Sequence, residues 1–112
     1  MKHIAVVGGR GFNDYDSLAE ELKQYVPFIL VSGGAKGADS LAEKFADTHG
    51  LHKSIFLADW NKYGKRAGYL RNVTIVEKAD LVIAFWDGKS KGTKLTIDLA
   101  KENGVPLRIV RY

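Results

Sequence analysis

Four short apolar runs, each followed by a loop rich in glycine and basic side chains, limit what this chain can fold into. The runs are Ile4-Ala5-Val6-Val7, Ile29-Leu30-Val31, Ile55-Phe56-Leu57 and Leu81-Val82-Ile83-Ala84-Phe85. Runs of this kind predict strands buried on both faces, as in a parallel sheet. The loops span residues 8–12, 32–39, 59–72 and 87–93. In an open α/β sheet such loops emerge at one carboxyl edge, where ligands bind. Nine of the 17 basic residues lie in or beside them: Arg10, Lys36, Lys62, Lys65, Arg66, Arg71, Lys89, Lys91 and Lys94. Glycine lets backbone N–H groups approach a ligand closely, and the basic side chains add positive charge. The combination points to a phosphate-bearing ligand.

Helical patterns alternate with the strands. The first is expected over about 17–26, with Ser17 and Glu20 at capping-box spacing. The second covers about 38–49 and is closed by Gly50. The third covers about 67–78, and the fourth runs over 93–103 up to Gly104. Leu107-Arg108-Ile109-Val110 follows Pro106 as a last strand, placed at an edge because proline donates no ladder hydrogen bond. The order βαβαβαβαβ with right-handed crossovers predicts an α/β, Rossmannoid three-layer sandwich with a mainly parallel five-stranded sheet.

The chain of 112 residues is expected to be one domain, 1–112, large enough to bury roughly two-thirds of its surface. It holds no cysteine, which excludes disulfides and thiolate metal sites and suits a cytoplasmic protein. No apolar run approaches the roughly 20 residues of a membrane span. The first residues enter a strand at once, so no signal peptide is expected. A net charge of +4 favours anionic partners.

Loop 8–12, GGRGF, partly matches a dinucleotide fingerprint, but the third glycine is misplaced and the second strand ends in Ser32-Gly33 instead of an acidic residue. The loop DGKSKGT does not match GxxxxGK[ST], so kinase or GTPase chemistry is not expected. Two glycine-rich helix entrances remain, at Gly33–Gly37 and Gly88–Thr93. Helix N-termini present free N–H groups that suit an anion. Thr93 is either a phosphate ligand or a plain N-cap. Asp39 and Asp87 are either turn and helix-start residues or groups for ribose binding and proton transfer. Trp60, Tyr63 and Tyr69, interleaved with basic residues, could stack a base. The candidate ligand-binding set is Gly9, Arg10, Ser32, Gly33, Gly34, Lys36, Gly37, Asp39, Arg66, Arg71, Asn72, Asp87, Gly88, Gly92 and Thr93. Asp39 and Asp87 are the candidate catalytic groups. The three histidines form no metal site with acidic neighbours, and no cofactor is expected.

GGRGFND, SGGAKGADSLAEKFA, the DW…KYGKRAG…RN segment, ADLVIAFWDGKSKGT and GVPLRIV together resemble the YspA-like (YAcAr) group of the SLOG superfamily, which is related to the LOG phosphoribohydrolases and the SMF/DprA proteins. The resemblance covers nearly the whole chain. It implies a Rossmannoid fold that binds nucleotides or nucleotide-derived ligands, a homodimer or higher homo-oligomer, and a bacterial or phage source. Gly33, Gly34 and Gly37 match the first phosphate loop, Arg71 and Asn72 the central RN pair, and Gly88, Gly92 and Thr93 the second loop. LOG enzymes carry PGGxGTxxE with a catalytic glutamate. Here Asp87 stands at the proline and Thr96 at the glutamate.

Three functions follow as expectations. The first is a sensing or binding module for a nucleotide or nucleotide-derived phosphate ligand. The second is a nucleotide N-glycosidase, whose oxocarbenium-like transition state needs a carboxylate near the sugar. The third is a DprA-like single-strand binder, which needs an extended basic groove. The missing glutamate and the focusing of basic residues on one cleft favour the first.

Overall fold

The computed structural model describes residues 1–112. Five strands form one sheet: β1 (His3–Gly8), β2 (Ile29–Ser32), β3 (Lys53–Ile55), β4 (Leu81–Trp86) and β5 (Leu107–Arg111). Their order is β3-β2-β1-β4-β5. Every pairing is parallel. The helices are α1 (Tyr15–Leu22), α2 (Ala38–Thr48), α3 (Trp60–Tyr63), α4 (Ala67–Lys78) and α5 (Lys91–Glu102).

Alternation along the central strands splits the core into two layers. Ile4, Val6, Ile83 and Phe85 point to one face and pack with Leu18 and Leu22 of α1 and with Ala42, Phe45 and Ala46 of α2. Ala5, Val7, Val82 and Ala84 point to the other and pack with Ile75 and Val76 of α4 and Ile97 and Ala100 of α5. The period of two is what permits both layers. The result is a three-layer α/β sandwich with a Rossmann-like arrangement.

Several boundaries differ from the sequence expectation. β3 pairs through Lys53–Ile55, not through the apolar run 55–57. It is an exposed edge strand, with Lys53 and Ile55 open to solvent, so the buried-strand rule does not apply to it. The first helix starts at Tyr15 because Asp14 is its N-cap. The Asp14 carboxylate accepts the Ser17 N–H at 3.1 Å, so Ser17 lies inside the helix and does not cap it. Likewise α5 starts two residues earlier than expected because Ser90, not Thr93, is its N-cap. The segment 59–72 is not one loop. Asp59 caps the short helix α3 through the Lys62 N–H at 3.0 Å. The edge position of β5 and the closing glycines Gly50 and Gly104, both with positive φ, agree with expectation.

Gly37 at the N-cap of α2 has φ 78° and ψ −126°, a conformation essentially restricted to glycine. A Cβ there would also strike the carbonyl oxygens of Gly9 and Arg10. Gly37 therefore lets the β1–α1 and β2–α2 loops touch, and the Ala38 N–H bonds the Gly9 carbonyl at 3.3 Å. We expect Gly37→Ala to cost on the order of 1–3 kcal/mol, read as a fall of several degrees in melting temperature. An unchanged melting temperature would mean that the two loops are not held this way.

Candidate functional site

The direction of the crossovers creates the site. From β1 the chain leaves through α1 to β2 on one side. It returns from β3 through α4 to β4 on the other side of β1. The loops after β1 and β4 therefore diverge, and a crevice opens at their carboxyl ends, the switch point at which open α/β sheets bind ligands. A cavity of about 620 Å³ occupies this place.

Six parts of the chain line it. The β1 end contributes Gly8, Gly9, Arg10 and Gly11, and the β4 end contributes Asp87. Ser90, Gly92, Thr93 and Thr96 come from the start of α5, and Arg71, Asn72 and Ile75 come from α4. Ala35 and Asp39 close the side at α2, and Tyr112 follows β5.

Of the residues singled out in the sequence, Gly9, Arg10, Asp39, Arg71, Asn72, Asp87, Gly92 and Thr93 are brought together here. Seven others do not line this cavity. Lys36 and Arg66 are exposed to solvent elsewhere. Ser32 is buried, with its hydroxyl donating to Glu43 at 3.2 Å and accepting the Gly34 N–H at 3.3 Å. Gly33 is covered by Arg71, Gly34 backs onto Leu57, and Gly88 lies under Arg111. Gly37 meets the β1 loop, as described above. The loop Gly33–Gly37 thus has a packing contact at each of its glycines, and of its residues Ala35 lines the cavity. Trp60, Tyr63 and Tyr69 do not line the cavity either. Tyr63 instead borders a second, more apolar cavity of about 550 Å³ beside β3, together with Ile55, Leu57 and Leu70. Gly8, Gly11, Ser90, Tyr112 and the apolar wall of Val7 and Ile75 were not in the candidate set. Ser90 was detectable as a serine three residues before Thr93. Tyr112 had no local signal, because its place depends on pairing between β4 and β5.

The polar groups of the cleft are interlocked. Arg71 donates from Nη1 to the Gly33 carbonyl at 2.7 Å and from Nε to Asn72 Oδ1 at 3.0 Å. Asp39 is 7% exposed and accepts the Ala35 N–H at 3.2 Å. Burial pushes its carboxyl above the usual range. The Ala35 N–H, the Arg71 charge and the Gly33 N–H oppose the rise, and Glu43 adds to it. Asp87 shifts the other way. Its Oδ1 accepts the Ser90 and Lys89 N–H groups, each at 2.8 Å, and these hold the carboxyl below its ordinary value. Thr93 is buried, and its hydroxyl pairs with Ser90 Oγ at 3.2 Å. Thr96 is buried, with its hydroxyl donating to the Gly92 carbonyl at 3.3 Å. The charged groups lining the cleft are Arg10 and Arg71 against Asp39 and Asp87. Of the lysines near the two helix entrances, Lys36, Lys89, Lys91 and Lys94 are all exposed, and none lines the cleft.

The opposite shifts carry opposite signs for stability. A carboxyl raised in the fold opposes folding once it ionises, so its cost is absent in acid and grows as pH rises through the folded pKa. We expect Asp39→Asn to raise the melting temperature at pH 7, with the gain shrinking toward pH 3. A carboxyl lowered in the fold stabilises it above the unfolded pKa, and that stabilisation is lost as pH falls through the folded value. Asp87→Asn should therefore lower the melting temperature at pH 7, with the loss shrinking in acid. Melting curves across pH check both, and the same sign for both variants would contradict the assignment.

Comparison with known proteins agrees with the architecture. The family model described as YAcAr, a YspA, cpYpsA-related SLOG family, matches residues 2–63. The "Gene 61 protein" of Mycobacterium phage D29 is 34% identical over 118 residues, covering 96% of this chain and 94% of that protein. DNA processing protein A (DprA) from Streptococcus pneumoniae superposes with a TM-score of 0.84 over the whole chain at 21% identity. The chain spans 51% of that structure's length, and at this identity the likeness concerns the fold. With a family model over more than half of its length and a phage relative aligned nearly end to end, the chain belongs to the YspA, cpYpsA-related SLOG family.

Proposed function

We propose that the β1–β4 cleft binds a nucleotide or nucleotide-derived phosphate ligand, and that the protein acts as a sensing or binding module. The observation that carries this reading is the coincidence, at the topological switch point, of a glycine loop, two arginines and the N-terminus of α5 around one cavity. The Thr93 N–H is capped by Ser90 Oγ, and the Lys91 and Gly92 N–H groups before it have no i−4 acceptor inside the helix, which suits a phosphate. Two arginines balanced by two carboxylates suit a ligand with one anionic end and a hydroxyl-bearing body better than a polyphosphate. Asp39, buried against Arg71, is placed to accept hydrogen bonds from ribose hydroxyls.

One observation supports hydrolysis of an N-glycosidic bond as a second reading. Asp39 is a buried carboxyl with a raised pKa, as carboxylic acids in glycoside chemistry often are. Against it, Thr96 stands in the cleft where the LOG glutamate would be, and its hydroxyl is already donated to Gly92.

Gly92 supplies a clean test. It lines the cleft, its φ is not positive, and a Cβ added there meets no atom within 4 Å. A side chain at this lining position therefore starts in open space at the wall of the cleft, and replacing a helical glycine adds helix propensity. We expect mononucleotides, dinucleotides or ADP-ribose to raise the melting temperature of the parent, by about 2.7 kcal/mol of stability at a hundredfold excess over Kd. Gly92→Leu should fold as stably as the parent and lose that shift. The same samples, assayed chromatographically for free base, decide the second reading: turnover abolished by Asp39→Asn would establish hydrolysis. No response to any phosphate ligand, or tight oligonucleotide binding that strengthens with length and falls steeply with salt, would overturn the proposal.

A further inference from the structure

We infer that Tyr112 is the stacking platform for a base in the β1–β4 cleft, so that the ligand taken there is a nucleoside phosphate and not a bare sugar phosphate. The inference rests on the proposed function and makes its ligand class narrower. Of the residues lining the cavity, Tyr112 is the only aromatic one. The three aromatic residues that sequence reasoning put forward for this task, Trp60, Tyr63 and Tyr69, lie outside it.

Tyr112 is held, not merely nearby. Its backbone N–H donates to the Trp86 carbonyl at 3.2 Å, continuing the β4–β5 ladder. Its ring meets Phe12 edge to face at a centroid distance of 4.8 Å. Phe12 is buried and packs in turn on Phe85 at 5.0 Å. This chain of rings runs from the core to the cleft and fixes the outermost ring without enclosing it, since Tyr112 remains 50% exposed. Its hydroxyl lies so close to Gly9 that a Cβ at that position would strike it. The ring therefore stands over the glycine loop. The cavity that Tyr112 borders is lined on one side by Gly8, Gly9, Arg10 and Gly11 after β1 and on another by Asp87 after β4.

A planar, anchored, half-open aromatic ring above a loop suited to phosphate is what a nucleobase needs. Stacking on an aromatic side chain accepts every base because each has a π-face. The buried Val7 and Ile75 add apolar wall to the same cavity. Asp39 and Arg71, by contrast, are tied to Gly33 and Ala35 at the α2 side.

The test is titration calorimetry with AMP, GMP, CMP and UMP, and with ribose 5-phosphate as the base-free probe. The proteins are the parent, Tyr112→Ala and Tyr112→Phe, each checked for an unchanged far-UV spectrum. We expect the parent to bind at least one monophosphate more tightly than ribose 5-phosphate. Tyr112→Ala should weaken the monophosphates by about tenfold or more while leaving ribose 5-phosphate unchanged, and Tyr112→Phe should bind like the parent. A parent that binds ribose 5-phosphate as tightly as the nucleotides overturns this inference and leaves the phosphate reading standing. So does a Tyr112→Ala variant that weakens both classes equally or neither. A parent that binds none of the five overturns both.

Discussion

The parallel pairing of β1 with β4, from Ile4 against Leu81 to Gly8 against Phe85, is the constraint on which the rest of the molecule depends. It joins two halves that wind away from each other. β2 and β3 lie on one side of β1, and β5 lies on the far side of β4. Because both strands are covered by helices on both faces, nearly every side chain on them is apolar and buried. The same pairing brings the Gly8–Gly11 turn beside the Asp87–Ser90 turn that opens α5. The cleft is therefore a consequence of strand order, and its chemistry depends on which residues occupy the two turns.

Within that frame, glycine serves two purposes that the sequence does not distinguish. At Gly8 a Cβ would come 2.6 Å from the Ala38 Cβ and 2.8 Å from the Phe85 carbonyl oxygen, so its absence allows α2 to approach the sheet. At Gly92 the space beyond the backbone is open and faces the cavity. Gly33 and Gly37 belong with Gly8. Their bare backbones make room for Arg71 and for the Gly9 and Arg10 carbonyls. Only the three-dimensional surroundings tell a packing glycine from one that leaves room for a ligand.

The fold was largely legible because its signals are local. The apolar runs of β1 and β4, the period of α4 over Ala67–Lys78 and the glycines after α2 and α5 each report their own element. β3 was misplaced because the apolar run 55–57 outlasts the three residues that pair, and an exposed edge strand carries little hydrophobic pattern. The early starts of α1 and α5 were missed because Asp14 and Ser90 compete with Ser17 and Thr93 as caps, and one N–H decides between them. In the cleft, residues within the turns after β1 and β4 could be named. Tyr112 could not, since it arrives by the register of Trp86 with Arg111. Trp60, Tyr63 and Tyr69 lie outside the β1–β4 cavity, and Tyr63 borders the second one, because interleaved aromatic and basic residues carry no local signal for which cavity they will meet.

The most direct test of the account is a backbone amide NMR titration of the uniformly ¹⁵N-labelled protein with a nucleoside monophosphate. The account predicts saturable shifts concentrated on Gly8–Gly11, on Lys89–Thr93 at the entrance to α5, on Arg71 and on Tyr112, with the 60–69 segment left still. Shifts centred on Trp60–Tyr69 and β3, with the β1 and β4 turns unmoved, would contradict it.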